Sequence, residues 1–350
     1  MESSVEIKRA TDQHEGIIRP VSLAQVMDEV ESAVAAGHLE HLRPFPTGFL
    51  PLDDVLNGGL RRGELLIIGG PTGVGKTIWG LQVARNFVCQ DAGAAALYVC
   101  YEHSESHLLS RLLCLESAEM GYKDDALTMR RLTDFSLHAA PGVGLMGMLR
   151  RVPRYAAVLD RVASYAGRLL VVSASGRNST LDEVQRWTEQ ALETASTKLI
   201  LVVDYLQKIP VPRAVLEEES EVTVFLAHGL KELAKALNIP VIAVAAADRP
   251  GLKSKRMRFA DLRGSSALQY EADIGLILNN KYAILSREHL IYNPLQAEAM
   301  RNWVVISVEK NRAGVSAVDM EYALDAAHFR IVPTGNFVRE RLVDEKVILE

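Results

Sequence analysis

The sequence predicts an α/β fold with a mainly parallel central sheet and antiparallel strands at its edge. Two observations carry this. Apolar runs of strand length recur at Leu65–Ile68, Ala96–Tyr101, Leu169–Val172, Leu199–Val203, Val241–Ala245 and Ile274–Leu278, with amphipathic helical stretches between most of them. Three later runs, Trp303–Val308, Val318–Leu324 and Phe329–Val332, have little helix between them and read as antiparallel edge strands. Runs that are apolar on both faces belong to a sheet covered by helices on both sides.

Taken in order, residues 1–20 read as loosely attached chain. Ser22 caps a predicted helix over 22–36, with Leu23, Val26, Val30 and Val34 on one stripe and Gly37 at its end. Pro44 and Pro46 separate this helix from the alternating runs, so residues 1–40 form an N-terminal segment. Its stripe fits packing on the chain's own core or on a neighbouring subunit. A large domain is expected over 41–335 and a tail over 336–350. Within the domain, Val222, Phe225, Leu226, Leu230, Leu233 and Leu237 mark a further helix.

Composition narrows the class. The 350 residues are 48% hydrophobic and 24% charged, as in globular proteins. No apolar run approaches the roughly 18 residues of a membrane span, so no membrane partner is expected. The first residues lack a secretory apolar core. Cys89, Cys100 and Cys114 have no metal-ligand spacing, and the expected location is the cytoplasm. A net charge of −5 argues against a basic nucleic-acid coat but leaves room for a local basic stretch. Residues 249–263 are such a stretch, with Arg249, Lys253, Lys255, Arg256, Arg258 and Arg263 against one acid, Asp261. It fits a solvated loop and a nucleic-acid contact equally well.

The chemistry begins at the first strand. Gly70-Pro71-Thr72-Gly73-Val74-Gly75-Lys76-Thr77 comes directly after it and opens a helix. This is a phosphate-binding loop in the strand–loop–helix setting that gives the pattern its mechanism. The glycines let backbone N–H groups face phosphate oxygens, and the helix start adds a positive dipole end. Lys76 is placed to reach the β- and γ-phosphates of ATP, and the Thr77 hydroxyl to hold Mg²⁺. Two other strands end in carboxylates. Asp204, at the end of Leu199–Val203, is expected to bind Mg²⁺, or else caps the next turn. Glu102, after Tyr101, is expected to polarise the attacking water, with Glu105 as its rival. Lys310 and Arg312 lie one residue apart at a strand end and project to the same side. They fit an arginine finger acting on a neighbour's nucleotide, or a solvated hairpin tip.

Together these segments resemble the RecA-like ATPase domain of DnaB-type replicative helicases, a phosphate-loop NTPase fold. The likeness runs in order from about residue 45 to 333. It includes Thr47-Gly48-Phe49, Leu52-Asp53, Gly58-Gly59-Leu60 and Gly63-Glu64-Leu65, then the phosphate loop and Glu102 with Arg111. It continues through Asp204-Tyr205-Leu206-Gln207, Asp261-Leu262-Arg263, Ser265, Gln269, Ala272-Asp273 and Lys310 with Arg312. The resemblance implies a homo-oligomeric ring, usually a hexamer, with ATP and Mg²⁺ at each subunit interface. It implies a catalytic role for Glu102 and Lys76, and action in trans for Lys310 and Arg312. It also implies single-stranded DNA in the channel near Arg263, Arg258 and Arg256, and 5'-to-3' helicase activity. The helix at 22–36 takes the place of the family's linker helix.

Three departures accompany the likeness. No segment corresponds to the family's primase-binding domain. Ala245-Ala246 stand where the family has Ser-Gln, whose Gln senses the γ-phosphate. Gly264 stands where the family has Glu in its Asp-Leu-Arg-Glu-Ser loop. These departures keep a second reading open: an ATP-dependent scaffold or switch, KaiC-like or recombination-mediator-like, that has lost helicase coupling.

Overall fold

The computed structural model describes residues 20–39, 42–139, 141–211, 219–248, 251, 254–285 and 298–343. Residues 1–19 of the N-terminal segment, Arg249 and Lys253 of the basic stretch, and the tail from 344 lie outside the described residues. The chain divides into two units, Met1–Pro44 and Phe45–Glu350.

The first unit contains helix α1 (Leu23–Ala35). Ser22 accepts from the Gln25 N–H while the Gln25 side chain accepts from the Ser22 N–H, a reciprocal capping box. Gly37 comes next at φ +76°, as a helix-ending glycine does. Leu23, Val26, Val30 and Val34 are all exposed.

The second unit opens with the short helix α2 (Leu52–Val55), which ties down the entry loop. The buried Asp53 carboxylate accepts from the Thr47 N–H and hydroxyl and from the Gly48 N–H. These residues of the resemblance are therefore structural. Strands and helices then alternate: β1 (Leu65–Gly69), α3 (Lys76–Gln90), β2 (Ala94–Cys100) and α4 (Glu105–Glu119). Next come α5 (Met129–Leu137), α6 (Leu145–Arg150), α7 (Pro153–Ala166), β3 (Leu169–Ser173), α8 (Leu181–Thr194) and β4 (Lys198–Asp204). After them stand α9 (Glu219–Ala236), β5 (Val241–Val244), α10 (Ser265–Glu271), β6 (Ile274–Asn280) and α11 (Lys281–Ile284). The last strands are β7 (Trp303–Asn311), β8 (Val318–Asp325), β9 (Arg330–Ile331) and β10 (Asn336–Phe337).

Among the described residues the strands form one sheet in the order β10-β8-β7-β6-β1-β5-β4-β2-β3, with β9 beside β8. Strands β1 to β6 are mutually parallel, and β7, β8 and β10 extend the edge antiparallel. The expected fold class is the observed one. Asn336 and Phe337 pair with β8, so the stretch expected as a tail begins inside the sheet.

Alternation along each strand builds two cores. Leu66 and Ile68 join Tyr98, Ile200 and Val202 beneath Trp79, Val83 and Phe87 of α3. Leu65 and Ile67 join Leu97, Leu201 and Val203 beneath Leu226, Leu230 and Leu233 of α9. Both faces are buried, which is why the strands read as unbroken apolar runs. Because β1, β2, β4 and β5 run parallel, their carboxyl ends lie on one side, where ligands of such sheets bind.

Candidate functional site

That side holds a cleft of about 440 Å³. Gly70, Gly73, Gly75, Lys76 and Thr77 line it, with Glu102 and Asp204 from two other strand ends, Arg111 from α4, Ala245–Ala247 and Phe329.

The loop is shaped by its glycines. Gly70 has φ +152°, and a Cβ there would lie 2.4 Å from the Leu278 carbonyl oxygen. Gly75, at φ +106°, delivers the chain into α3. Lys76 Nζ donates to the carbonyls of Gly70 at 2.7 Å and Pro71 at 2.9 Å. Burial lowers its ammonium below the usual lysine range, while the charges of Asp204 and Glu102 oppose that shift.

Asp204 is buried at the end of β4. It accepts from the Tyr98 hydroxyl at 2.8 Å and is hydrogen-bonded to the Thr77 side chain. Burial raises its carboxyl above the usual carboxylate range, and those two hydrogen bonds pull it back. The Thr77 hydroxyl and Asp204 are adjacent hard oxygen donors, the kind of pair that holds Mg²⁺ alongside phosphates and water. Glu102 is exposed on the cleft wall. Its rival Glu105 turns away to accept from the Ser173 N–H at 3.1 Å. The Arg111 guanidinium lies over the Phe329 ring, 5.0 Å from its centroid, and its buried Nε has no hydrogen-bond partner. A buried cationic donor of this kind suits a phosphate oxygen. The residues present fit a nucleoside triphosphate with Mg²⁺.

Lys310 and Arg312 lie elsewhere. Lys310 pairs with Gly275 of β6, and the Arg312 N–H bonds the Asp273 carbonyl, level with Leu65 at the start of β1. The phosphate loop leaves the other end of β1. Lys310 Nζ donates to the Gln269 carbonyl, and Arg312 to the Tyr270 carbonyl and, at 3.1 Å, to Asp273 Oδ1. Asp273 also accepts from the Leu65 N–H at 2.8 Å and from Lys231 at 2.6 Å. It fixes Arg312 to the sheet.

Part of the basic stretch is turned inward. Arg256 is 5% exposed, and its guanidinium pairs with Asp319 at 2.6 Å. Turning it to a nucleic acid would leave Asp319 without this partner. Arg258 pairs with Glu309 at 3.2 Å and stays partly exposed. Met257, Phe259 and Leu262 are buried between these cations. Arg263 is half-buried, and its backbone is part of a short ribbon. Its N–H bonds the Ala246 carbonyl at 3.0 Å, and Asp248 N–H bonds Asp261 O at 3.0 Å. Gln207 clamps this ribbon by accepting from the Ala246 N–H at 2.9 Å and facing the Arg263 carbonyl at 3.5 Å. A Cβ at Gly264 would meet the Thr223 side chain at 2.5 Å, and φ is +71°. A side chain there is strained by the backbone and displaces Thr223.

Tyr98, His103 and Phe329 stand at the site without being singled out by any sequence pattern. Tyr98 and His103 are close in sequence to Glu102, a position that could have flagged them. Phe329 carries no such signal.

A parallel sheet, a phosphate loop at its carboxyl edge and carboxylates on neighbouring strand ends define a phosphate-loop NTPase domain. Residues 45–141 and 145–330 match the family described as DnaB-like helicase C terminal domain, and the chain belongs to that family. It is 27% identical over 286 residues to the replicative DNA helicase DnaB of Rickettsia bellii, covering 75% of this chain and 50% of that protein. It is 29% identical over 260 residues to the DnaB of Leifsonia xyli subsp. xyli, covering 73% and 50%. The chain thus spans about half the length of the curated relatives it matches. A solved DnaB-like replicative helicase, described together with its interactions with primase, shares the fold. It matches with a TM-score of 0.68 at 18% identity, over 95% of this chain and 71% of that one. Among the described residues no helix is long and apolar enough to cross a membrane.

Proposed function

We propose that this chain hydrolyses ATP at the interfaces of a homo-oligomeric ring of the hexameric kind and uses it to move on single-stranded DNA. The observation that carries this is a divided set of groups. Lys76, Thr77, Glu102, Arg111 and Asp204 converge on one cleft, while Lys310 and Arg312 stand at the opposite ends of the strands. A ring that repeats one head-to-tail contact would bring one subunit's cations to the next subunit's cleft. The exposed stripe of α1 gives such a ring a second contact.

ATP supplies the phosphoanhydride and Mg²⁺ offsets phosphate charge when both are bound. Gly70–Thr77 wraps the phosphates with backbone N–H groups and Lys76. Thr77 and Asp204 would hold the cation. Glu102 orients and deprotonates the attacking water, and Arg111 with the neighbour's Lys310 and Arg312 balances the charge that develops on the transferred phosphoryl group. The Ala245–Ala247 segment carries changes at the cleft into the ribbon that ends at Arg263, the candidate DNA contact best joined to the cleft. The matched relatives are replicative helicases, which supports this over the scaffold-or-switch reading. The 5'-to-3' direction is carried by the family likeness alone.

The test is ATP turnover with and without single-stranded DNA, together with strand separation on a forked duplex. Stimulation that weakens steeply with salt is expected. A ring that forms but shows neither stimulation nor unwinding returns the scaffold reading.

A further inference from the structure

What holds Arg111 in place can be inferred once the cleft is taken as a nucleotide site, and the inference rests on that reading. His103 directly follows Glu102, and its Nε2 lies 2.9 Å from Arg111 Nη2. A guanidinium has donors only, so the His103 nitrogen must accept, which requires a neutral ring with its proton on Nδ1. The ring is itself held in place. Its backbone N–H donates to Cys100 Sγ at 3.4 Å, and the His107 ring stacks on it at 4.7 Å between centroids. The Phe329 ring supports the guanidinium across its face. Nη2 of Arg111 is thus bonded to His103, its buried Nε has no hydrogen-bond partner, and the residue lines the cleft.

We propose that neutral His103 is a positioning residue that holds the Arg111 guanidinium toward the nucleotide phosphates, and that protonation of its ring releases Arg111. An imidazolium has no lone pair to accept with, and it would set two cations in contact. The charged and titratable groups facing His103 are Arg111 and His107 from α4, Cys100 of β2 and Glu102 just after it. Burial and then Arg111 hold His103 below its usual value of 6.5, with Glu102 opposing. The ring is therefore neutral at neutral pH, and the contact is lost only as pH falls below 6.5.

The experiment compares the full chain with His103→Gln, whose Oε1 replaces the acceptor without titrating, and with His103→Phe, which removes it. ATP hydrolysis and affinity for a fluorescent ATP analogue are followed from about pH 5 to 8, across the ordinary histidine range. Wild type should lose turnover below pH 6.5, and His103→Gln should lack that limb. His103→Phe should be weaker than wild type by roughly tenfold near neutral pH, as for a lost hydrogen bond to a charged group, and the two should converge as pH falls below 6.5. The terminal phosphate of ATP itself titrates at about pH 6, so only the difference between variants counts. Without nucleotide, ¹⁵N NMR of the histidines should show His103 protonated on Nδ1, with a midpoint that rises in Arg111→Ala. If His103→Phe does not fold, the comparison of wild type with His103→Gln decides. Superimposed pH profiles in a chain that hydrolyses ATP, or a proton on Nε2, overturn the inference alone. A wild-type chain that neither binds nor hydrolyses ATP overturns the nucleotide reading beneath it.

Discussion

Lys76 stands between opposed influences: burial disfavours its charge, and Asp204 and Glu102 favour it. A triphosphate adds negative charge at the same place. Replacing Lys76 by Ala removes the cation and leaves two carboxylates facing that charge. Titration with a fluorescent ATP analogue should show affinity reduced by at least about tenfold, the scale of one charge-assisted hydrogen bond. The melting temperature should stay near wild type, because the side chain bonds only two loop carbonyls. Undiminished affinity would remove the premise of the site. Arg256 teaches the converse at the same scale. A basic residue in a basic stretch looks available in sequence, yet Asp319, 63 positions away, has taken its charge.

The ribbon of residues 246–248 and 261–263 is the element that joins the cleft to the basic stretch. Its cleft end lacks the sensing Gln of the family pattern, but its backbone is tied to the chain just after β4 through Gln207. Gln207→Ala removes that clamp while leaving the residues of the cleft in place. Basal ATP turnover should stay within about twofold of wild type, since the lost bond is neutral and modest. Stimulation by single-stranded DNA should fall further; equal loss of both would show that Gln207 serves the cleft directly. Gly264 belongs to the same element. Restoring the family's residue with Gly264→Glu forces a side chain into a left-handed conformation against Thr223. The cost should be about 1–3 kcal/mol, read as a melting temperature lower by several degrees. An unchanged melting point would mean that Thr223 moves aside freely.

At the scale of the whole molecule, what was legible in the chain is what depends on local pattern. The strands announced themselves because both faces of the sheet are buried, and the phosphate loop because its geometry needs glycine at fixed spacing. Helices α5 and α6 were not singled out because both are short and each has one fully buried leucine, Leu132 and Leu149, with Met129, Phe135 and Leu145 only partly buried against the core. The Arg111–Phe329 contact was not legible either, because only the fold brings those residues together. The proposed division of the site into two halves was half-legible: the spacing of Lys310 and Arg312 implied a common side, and the register of β6 and β7 gives the end of the sheet they occupy. That division makes a prediction no single subunit can satisfy. Arg312→Ala should leave ATP binding by an isolated subunit intact while lowering ring turnover on the order of a thousandfold, the scale of a finger in trans. Glu102→Ala should also be inactive, through the other half of the site. Mixed in equal amounts before assembly, the two variants should form rings in which about a quarter of interfaces combine an intact Glu102 with an intact Arg312, as random head-to-tail pairing requires. Turnover of the mixture should therefore rise well above that of either parent. A mixture no more active than its parents, in rings shown by mass to contain both, would place Arg312 outside the neighbour's site and leave its bond to Asp273 as its whole role.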